Sequence, residues 1–208
     1  MDLALEKKVF RSNIKIISFN IMALALAYIG AIYFMISKSS LSGSTLAFIG
    51  EQLLSPVGII LFVRVALIEQ EHRIDEMVYS RVYPHWKTIL YRIIIISTQL
   101  FLILAIAFMP MKLFGIDFDI TSILLGSFVT SFYLGVISMT LGYITKEISV
   151  GALIPFLYYF FEMFSKGRFT KGFYLFGLLE GNYMSKIKLF SIAICLVILL
   201  LRIIKQDK

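Results

Sequence analysis

Long apolar stretches alternate with short polar ones along this chain, and most of them are long enough to cross a bilayer as helices. The pattern predicts six spans, at residues 16–37, 47–68, 93–111, 120–145, 148–163 and 187–204. Residues 1–15 mix four bases with apolar side chains, which is typical of a helix lying on an anionic membrane surface. The sequence therefore predicts an all-α, polytopic membrane protein with a single transmembrane domain over residues 1–208.

Residues 69–92 form the only sizeable charged segment between long apolar runs. Four acids lead and four bases follow, while Ile74, Met77, Val78, Val82 and Trp86 recur at helical spacing. This pattern is that of an amphipathic helix at a surface. Pro84 lacks a backbone donor and clashes with the preceding turn, so the helix is predicted to stop near residue 83.

A second unusual connection lies at residues 164–186, where charged positions alternate with a small apolar block and two glycines, Gly172 and Gly177. The block is too short to cross a bilayer. It is predicted to be part of an outer loop, as a re-entrant element that enters the membrane and returns while packed against protein.

The distribution of basic residues predicts that both ends of the chain are cytoplasmic, because Lys and Arg favour the inner side. Most of the 20 Lys and Arg residues then lie inside. The exception is a cluster in the last outer loop: Lys166, Arg168, Lys171, Lys186 and Lys188. Six spans remain the prediction because the basic residues of the other loops lie on the expected sides, and because basic residues early in a chain usually dominate its orientation.

Two ionisable residues fall within the second predicted span, Glu51 and Arg64. They are about 20 Å apart along a helix and so cannot pair with each other. Arg64 is expected to extend its long side chain to the nearby interface. Glu51 is expected near the outer edge, where burial costs less, and a substrate or ion role for it is the alternative.

The fourth span carries small residues at helical spacing, namely Ser127, Ser131, Gly135, Ser138 and Gly142. Such a stripe lets another helix approach closely, and helix packing is the expected role. The alternative is that Thr130, Ser131 and Ser138 line a polar pathway through the membrane.

Composition agrees with a membrane protein, since 59% of the residues are hydrophobic and too few are polar to cover a soluble globule. The net charge of +7 comes from bases that flank spans, so no nucleic-acid partner is expected. A single cysteine, Cys195, excludes an internal disulfide, and the chain has neither a phosphate-binding loop nor a zinc-binding helix motif. We therefore expect no enzyme activity in this polypeptide.

Residues 71–92 resemble the cytoplasmic segment of type-2 permeases of ATP-binding-cassette (ABC) exporters. E-M-V-Y-S-R at residues 76–81 stands for that family's amphipathic helix, Y-P-H-W at residues 83–86 for its corner, and Arg92 for the basic residue before the third span. The family's glycine is absent, with Arg73 and Ile74 in its place. The layout is also similar, with an interfacial N-terminal helix, six spans and a re-entrant outer segment.

The resemblance implies a permease half in a bacterial inner (cytoplasmic) membrane that pairs with a second permease chain, as a homodimer, and with two separate ATPase subunits. ATP and Mg²⁺ belong to those subunits, and no cofactor or metal is expected in this chain. The cargo would be amphipathic: a peptide, an antibiotic or a lipid. The residues that would couple to the ATPase are His72, Arg73, Asp75, Glu76, Met77, Tyr79, Arg81 and Tyr83.

Two other functions are weighed against transport by an ABC exporter. A membrane-embedded immunity protein could bind an antimicrobial peptide without any ATPase. A small secondary transporter is disfavoured, because the spans lack a relay of ionisable residues and an evident inverted repeat.

Overall fold

The computed structural model describes residues 9–10, 12–13, 19–35, 43–65, 67–68, 84–113 and 119–206. These residues form helices and connecting turns, with no strand among them. The α-helices are α1 (Phe19–Met35), α2 (Gly43–Phe48), α3 (Pro56–Phe62), α4 (His85–Leu113), α5 (Ile120–Thr145), α6 (Ile148–Ser165) and α7 (Tyr183–Gln206). A π-helical turn, Ile49–Leu53, joins α2 to α3, and two 3-10 helices, Lys171–Phe173 and Gly177–Glu180, lie between α6 and α7.

Five helical segments within these ranges are long and apolar enough to cross a membrane: Thr45–Phe62, His85–Lys112, Ile120–Thr145, Ile148–Ser165 and Tyr183–Gln206. A shorter apolar helix, Ile21–Phe34, lies within α1. The prediction of an all-helical protein with membrane-spanning helices is confirmed at this level. The two ends of the first predicted span, residues 16–18 and 36–37, lie outside the described residues.

Helix α5 is the centre of the fold and packs against α3, α4, α6 and α7. Its buried apolar side chains, such as Val136 and Met139, join one core with residues from α3, α4 and α7. Fully buried members of that core include Phe62, Leu100, Leu104, Phe108 and Leu200. A helix that is apolar on nearly every side suits this central position, whereas the outer helices expose apolar side chains on one face.

Helix α4 begins at His85, eight residues before the predicted start of the third span at residue 93. The reason is Pro84, whose fixed φ and missing N–H suit the residue just ahead of a helix. Its carbonyl accepts a hydrogen bond from the Lys87 N–H at 3.1 Å. Residues 85–92 therefore belong to α4 and not to a separate surface segment.

The fifth span is a continuous helix over Ile148–Ser165, although Gly151 and Pro155 interrupt its sequence. Gly151 lies against Gly142 of α5, and a Cβ added to Gly151 would be 2.9 Å from the Gly142 Cα. The glycine therefore allows α5 and α6 to pack closely rather than breaking the helix.

Helix α7 begins at Tyr183, four residues before the predicted start at residue 187. Lys186 was predicted to lie in the outer loop, and this prediction is wrong, because the residue lies inside α7 and is only 6% exposed.

Candidate functional site

The second predicted span is not one regular α-helix, because Glu51 lies in the π-helical turn Ile49–Leu53. The Leu54 N–H donates to the Ile49 carbonyl at 2.8 Å. Ile49 is five residues earlier in the chain, whereas an α-helix would pair residues that are four apart. Pro56 then begins α3 and has no N–H to donate. The chain thus makes a π-helical turn at this point, a distortion that is frequent at functional sites.

Three side-chain hydroxyls donate hydrogen bonds to the backbone carbonyls of this turn. The Glu51 carbonyl accepts from Ser55 within the turn. Tyr159 of α6 donates to the Gln52 carbonyl at 2.6 Å, and Tyr28 of α1 donates to the Leu53 carbonyl at 2.7 Å. Because a carbonyl without a partner is costly in an apolar interior, these donors stabilise the broken helix and fix α1 and α6 to it.

The Glu51 side chain is fully buried and anchors the chain that links α6 to α7, which we call the connecting segment (residues 166–182). Its carboxylate accepts the Leu178 N–H at 3.3 Å and the Leu179 N–H at 3.1 Å. It also forms an ion pair with Lys186 of α7. Two amides at the start of a 3-10 helix and one ammonium group therefore compensate the buried negative charge.

Lys186 joins this ion pair to two further parts of the fold. Its ammonium nitrogen donates to the Thr130 hydroxyl of α5 at 2.6 Å and to the Leu175 carbonyl at 2.5 Å. All three ammonium protons thus have acceptors, counting the Glu51 carboxylate. The ion pair ties the broken second span, α5, α7 and the connecting segment together at one point.

A position of Glu51 near the outer edge of the membrane stays a prediction; the structure adds that the residue is 0% exposed and paired with Lys186. A lone acid in an apolar span is a sequence signal that it needs a cationic partner. The sequence offers five bases in the last predicted loop, and nothing in their spacing distinguishes Lys186 from the others.

A second buried carboxyl, Glu162, lies near the end of α6 and is also 0% exposed. One oxygen, Oε2, accepts from the Thr170 hydroxyl of the connecting segment at 3.0 Å. The other oxygen, Oε1, has no hydrogen-bond partner within normal distance among the described residues. Unlike Glu51, this carboxyl forms no ion pair with a described side chain.

Aromatic residues surround Glu162 and hold the connecting segment in place. The ring of Tyr158 of α6 packs edge-on against that of Tyr133 of α5, with 6.3 Å between their centres. In the segment itself, Tyr174 and Phe176 are buried, with the Phe176 ring 5.7 Å from Tyr159 and 5.6 Å from Tyr174. Burial, with smaller contributions from neighbouring carboxyl groups, raises the pKa of Tyr174 to about 12. Tyr174 therefore stays neutral at physiological pH.

The stripe of small residues on α5 is buried in full, and so is Thr130 beside it: the stripe is Ser127, Ser131, Gly135, Ser138 and Gly142. Gly58 of α3 lies against the Ser131 backbone, and Gly135 lies against the Gly58 carbonyl and Phe62. The closest approach of α3 to α5 is at this stripe. The hydroxyls of Ser127, Ser131 and Ser138 have no hydrogen-bond partner among the described residues, whereas Thr130 binds Lys186.

The eight predicted coupling residues, from His72 to Tyr83, lie outside the described residues. The structure does describe the residues on either side of them. Arg92 of α4 is buried and donates to the Asn13 side chain at 2.8 Å and to the Val65 carbonyl at 3.3 Å. Arg64, beside Val65, is exposed in the turn that follows α3.

Comparisons of this chain with protein-family models, curated proteins and solved structures find no match. Within the described ranges, no group of three or more His, Cys, Asp or Glu side chains is placed to hold a metal ion.

Replacing Tyr159 with Phe is expected to lower the free energy of unfolding by about 1–3 kcal/mol, because the partly buried Gln52 carbonyl loses its donor. Thermal unfolding in detergent measures the effect. The matched control is Tyr183→Phe, which removes an exposed hydroxyl from α7 and should change stability by less than about 0.5 kcal/mol. Equal effects of the two substitutions would show that the Tyr159 bond does not stabilise the break.

Proposed function

We propose that this chain is the membrane-spanning subunit of an ABC exporter. It would act with a second copy of itself and with two ATPase subunits that bind ATP and Mg²⁺. The observation that most supports the proposal is the connecting segment between the last two spans, whose Tyr174, Leu175, Phe176 and Leu178 are buried against protein. A buried, irregular segment in this position is what the resembling family leads us to expect of a re-entrant outer element.

The contacts of the second span suggest how a movement would cross the membrane. Residues 69–83 link the turn after α3 to the start of α4. At that end, Arg92 joins the Val65 carbonyl to Asn13. At the far end of the same span, Glu51 binds the connecting segment. A displacement of residues 69–83 by an ATPase would therefore reach the connecting segment through α3 and the π-helical turn that carries Glu51.

The proposed cargo is an amphipathic molecule such as a peptide, an antibiotic or a lipid. The apolar side chains exposed on α6 and α7, such as Leu153, Leu157 and Ile187, would face lipid or the second permease chain. In this proposal the protein lies in a bacterial inner membrane with both termini in the cytoplasm, because Lys and Arg residues near both ends favour the inner side.

Charge reversal of Arg73 and Glu76 (Arg73→Glu with Glu76→Lys) is expected to lower the yield of co-purified ATPase about tenfold, which corresponds to a loss of about 1.4 kcal/mol of binding free energy. These charges would set the register of the surface helix in a groove of the ATPase. The measurement is affinity purification of the tagged chain from its native membrane, with quantification of proteins that carry a phosphate-binding loop.

The control is charge reversal in the short turn between α5 and α6, Lys146→Glu with Glu147→Lys, which is exposed and should leave the yield unchanged. Recovery of no such ATPase with the unaltered chain would refute the proposal. Protection of cells against a peptide in the absence of any ABC ATPase would instead favour the immunity function.

A further inference from the structure

Glu162 has a chemical environment that does not suit an ionised carboxylate. It is fully buried, and no described Lys, Arg or His forms an ion pair with it. Its polar contacts are the Thr170 hydroxyl on Oε2 and a weaker interaction with the Leu175 backbone N–H. An isolated charge in an apolar interior is very costly, and such groups take up a proton instead. The free Oε1 atom is where that proton would be carried.

Among the described side chains, none that faces Glu162 supplies a positive charge that would remove the need for a proton. Tyr133 faces it from α5, Tyr158 from α6 and Tyr174 from the connecting segment. Phenols are neutral at physiological pH and add no cation. The nearest buried ammonium with described contacts, Lys186, already has three acceptors, one of them the Glu51 carboxylate.

We propose that Glu162 is a proton-binding site that latches the connecting segment onto α6, holding the segment while protonated and releasing it when ionised. The segment is held at two points of different character. Glu51 holds Leu178 and Leu179 as part of an ion pair in which the Lys186 ammonium compensates the carboxylate. Glu162 holds Thr170 without such compensation. Ionisation of Glu162 would therefore favour exposure of this end of the segment to water, while the Glu51 end stays anchored.

The sign of the pH dependence follows from whether the folded state prefers the protonated or the ionised form of Glu162. If the buried carboxyl is neutral, the seated segment is most stable at low pH, and its stability falls as pH rises and the proton leaves. For one proton, the opening equilibrium of the segment can grow by at most about tenfold per pH unit. Glu162→Gln keeps a neutral group of the same shape and should remove this dependence.

The first test is the infrared spectrum of the full chain in an ester-free detergent, where a protonated carboxyl has a C=O stretch separate from that of carboxylates. We expect this band at neutral pH in the unaltered protein, its loss as pH rises, and its absence in Glu162→Gln. Glu180→Gln is the matched control, because it removes an exposed acid from the same segment and should leave the band unchanged.

The second test is hydrogen exchange of the backbone amides of residues 170–176, corrected for the intrinsic effect of pH on exchange. Protection is expected to fall with rising pH in the unaltered chain and to stay constant in Glu162→Gln. The absence of the infrared band at neutral pH in the unaltered chain would overturn the proposal even if the variant did not fold. Persistence of the band in Glu162→Gln, or exchange that does not depend on pH, would overturn it as well.

Discussion

Replacing Lys186 with Met is expected to lower the free energy of unfolding by about 3–5 kcal/mol, because the Glu51 carboxylate would remain buried without its cation. The loss extends beyond the ion pair. The Lys186 ammonium also donates to the Thr130 hydroxyl and to the Leu175 carbonyl, and Met offers no donor to either. Among the described polar contacts, no other side chain joins α5, α7 and the broken second span at one point.

A double-mutant cycle separates the ion pair from the rest of this effect. Glu51→Gln combined with Lys186→Met removes both charges, so the double variant should be more stable than the sum of the single losses predicts, by about 0.5–3 kcal/mol. Equilibrium unfolding of the purified chain in mixed detergent micelles measures all four proteins. Strict additivity of the two substitutions would contradict the ion pair.

The matched control for this cycle is Lys188→Met, two residues further along α7. Lys188 is exposed, and its ammonium lies 5.5 Å from the centre of the Phe173 ring. A cation–π contact at an exposed site contributes about 0.5–1 kcal/mol, so this substitution should cost no more than that. A loss as large as that of Lys186→Met would mean that removal of any lysine from this helix is destabilising.

The spans were predictable because about 20 consecutive apolar residues have few alternatives to a membrane helix. The partner of Glu51 could not be predicted, because hydrophobic periodicity describes one helix at a time and carries no information about a residue 135 positions away. The error at Lys186 came from a shift of only four residues in the start of α7, which moved this base from a loop into a buried helix turn. Rules that count bases on each side cannot detect such a residue.

Two local features of the sequence did carry information about the site. Pro56 within the predicted second span removes a backbone donor, which is a direct signal for the break next to Glu51. The aromatic residues at 158–161, just before Glu162, form a pattern that is typical of an interfacial belt with the acid beyond it. In the structure Tyr159 packs inward on Phe176, while Phe160 and Phe161 are exposed, and the acid lies inside α6. Composition alone cannot separate the inward from the outward aromatic residues.

Replacing Gly58 with Ala is expected to destabilise the chain by at least about 3 kcal/mol, at or above the upper end of the usual cost of overpacking. A Cβ at this position would be 1.8 Å from the Ser131 carbonyl oxygen. Because this atom belongs to the backbone of α5, no change of side-chain rotamer can relieve the clash, and α3 would have to move away from α5. That movement would also open the contact between the Gly58 carbonyl and Gly135, which lies four residues after Ser131 in α5.

Gly30→Ala is the matched control, since no atom lies within 4 Å of a Cβ added to Gly30 in α1. Alanine has a higher helix propensity than glycine, so this variant should be as stable as the unaltered chain or more stable, by up to about 1 kcal/mol. Thermal unfolding of both variants in the same detergent therefore compares one methyl group at a helix contact with one in open space. Equal stability of the two variants would mean that α3 and α5 do not approach as closely as the Gly58 contact requires, and the placement of Glu51 beside α5 would then lose its support.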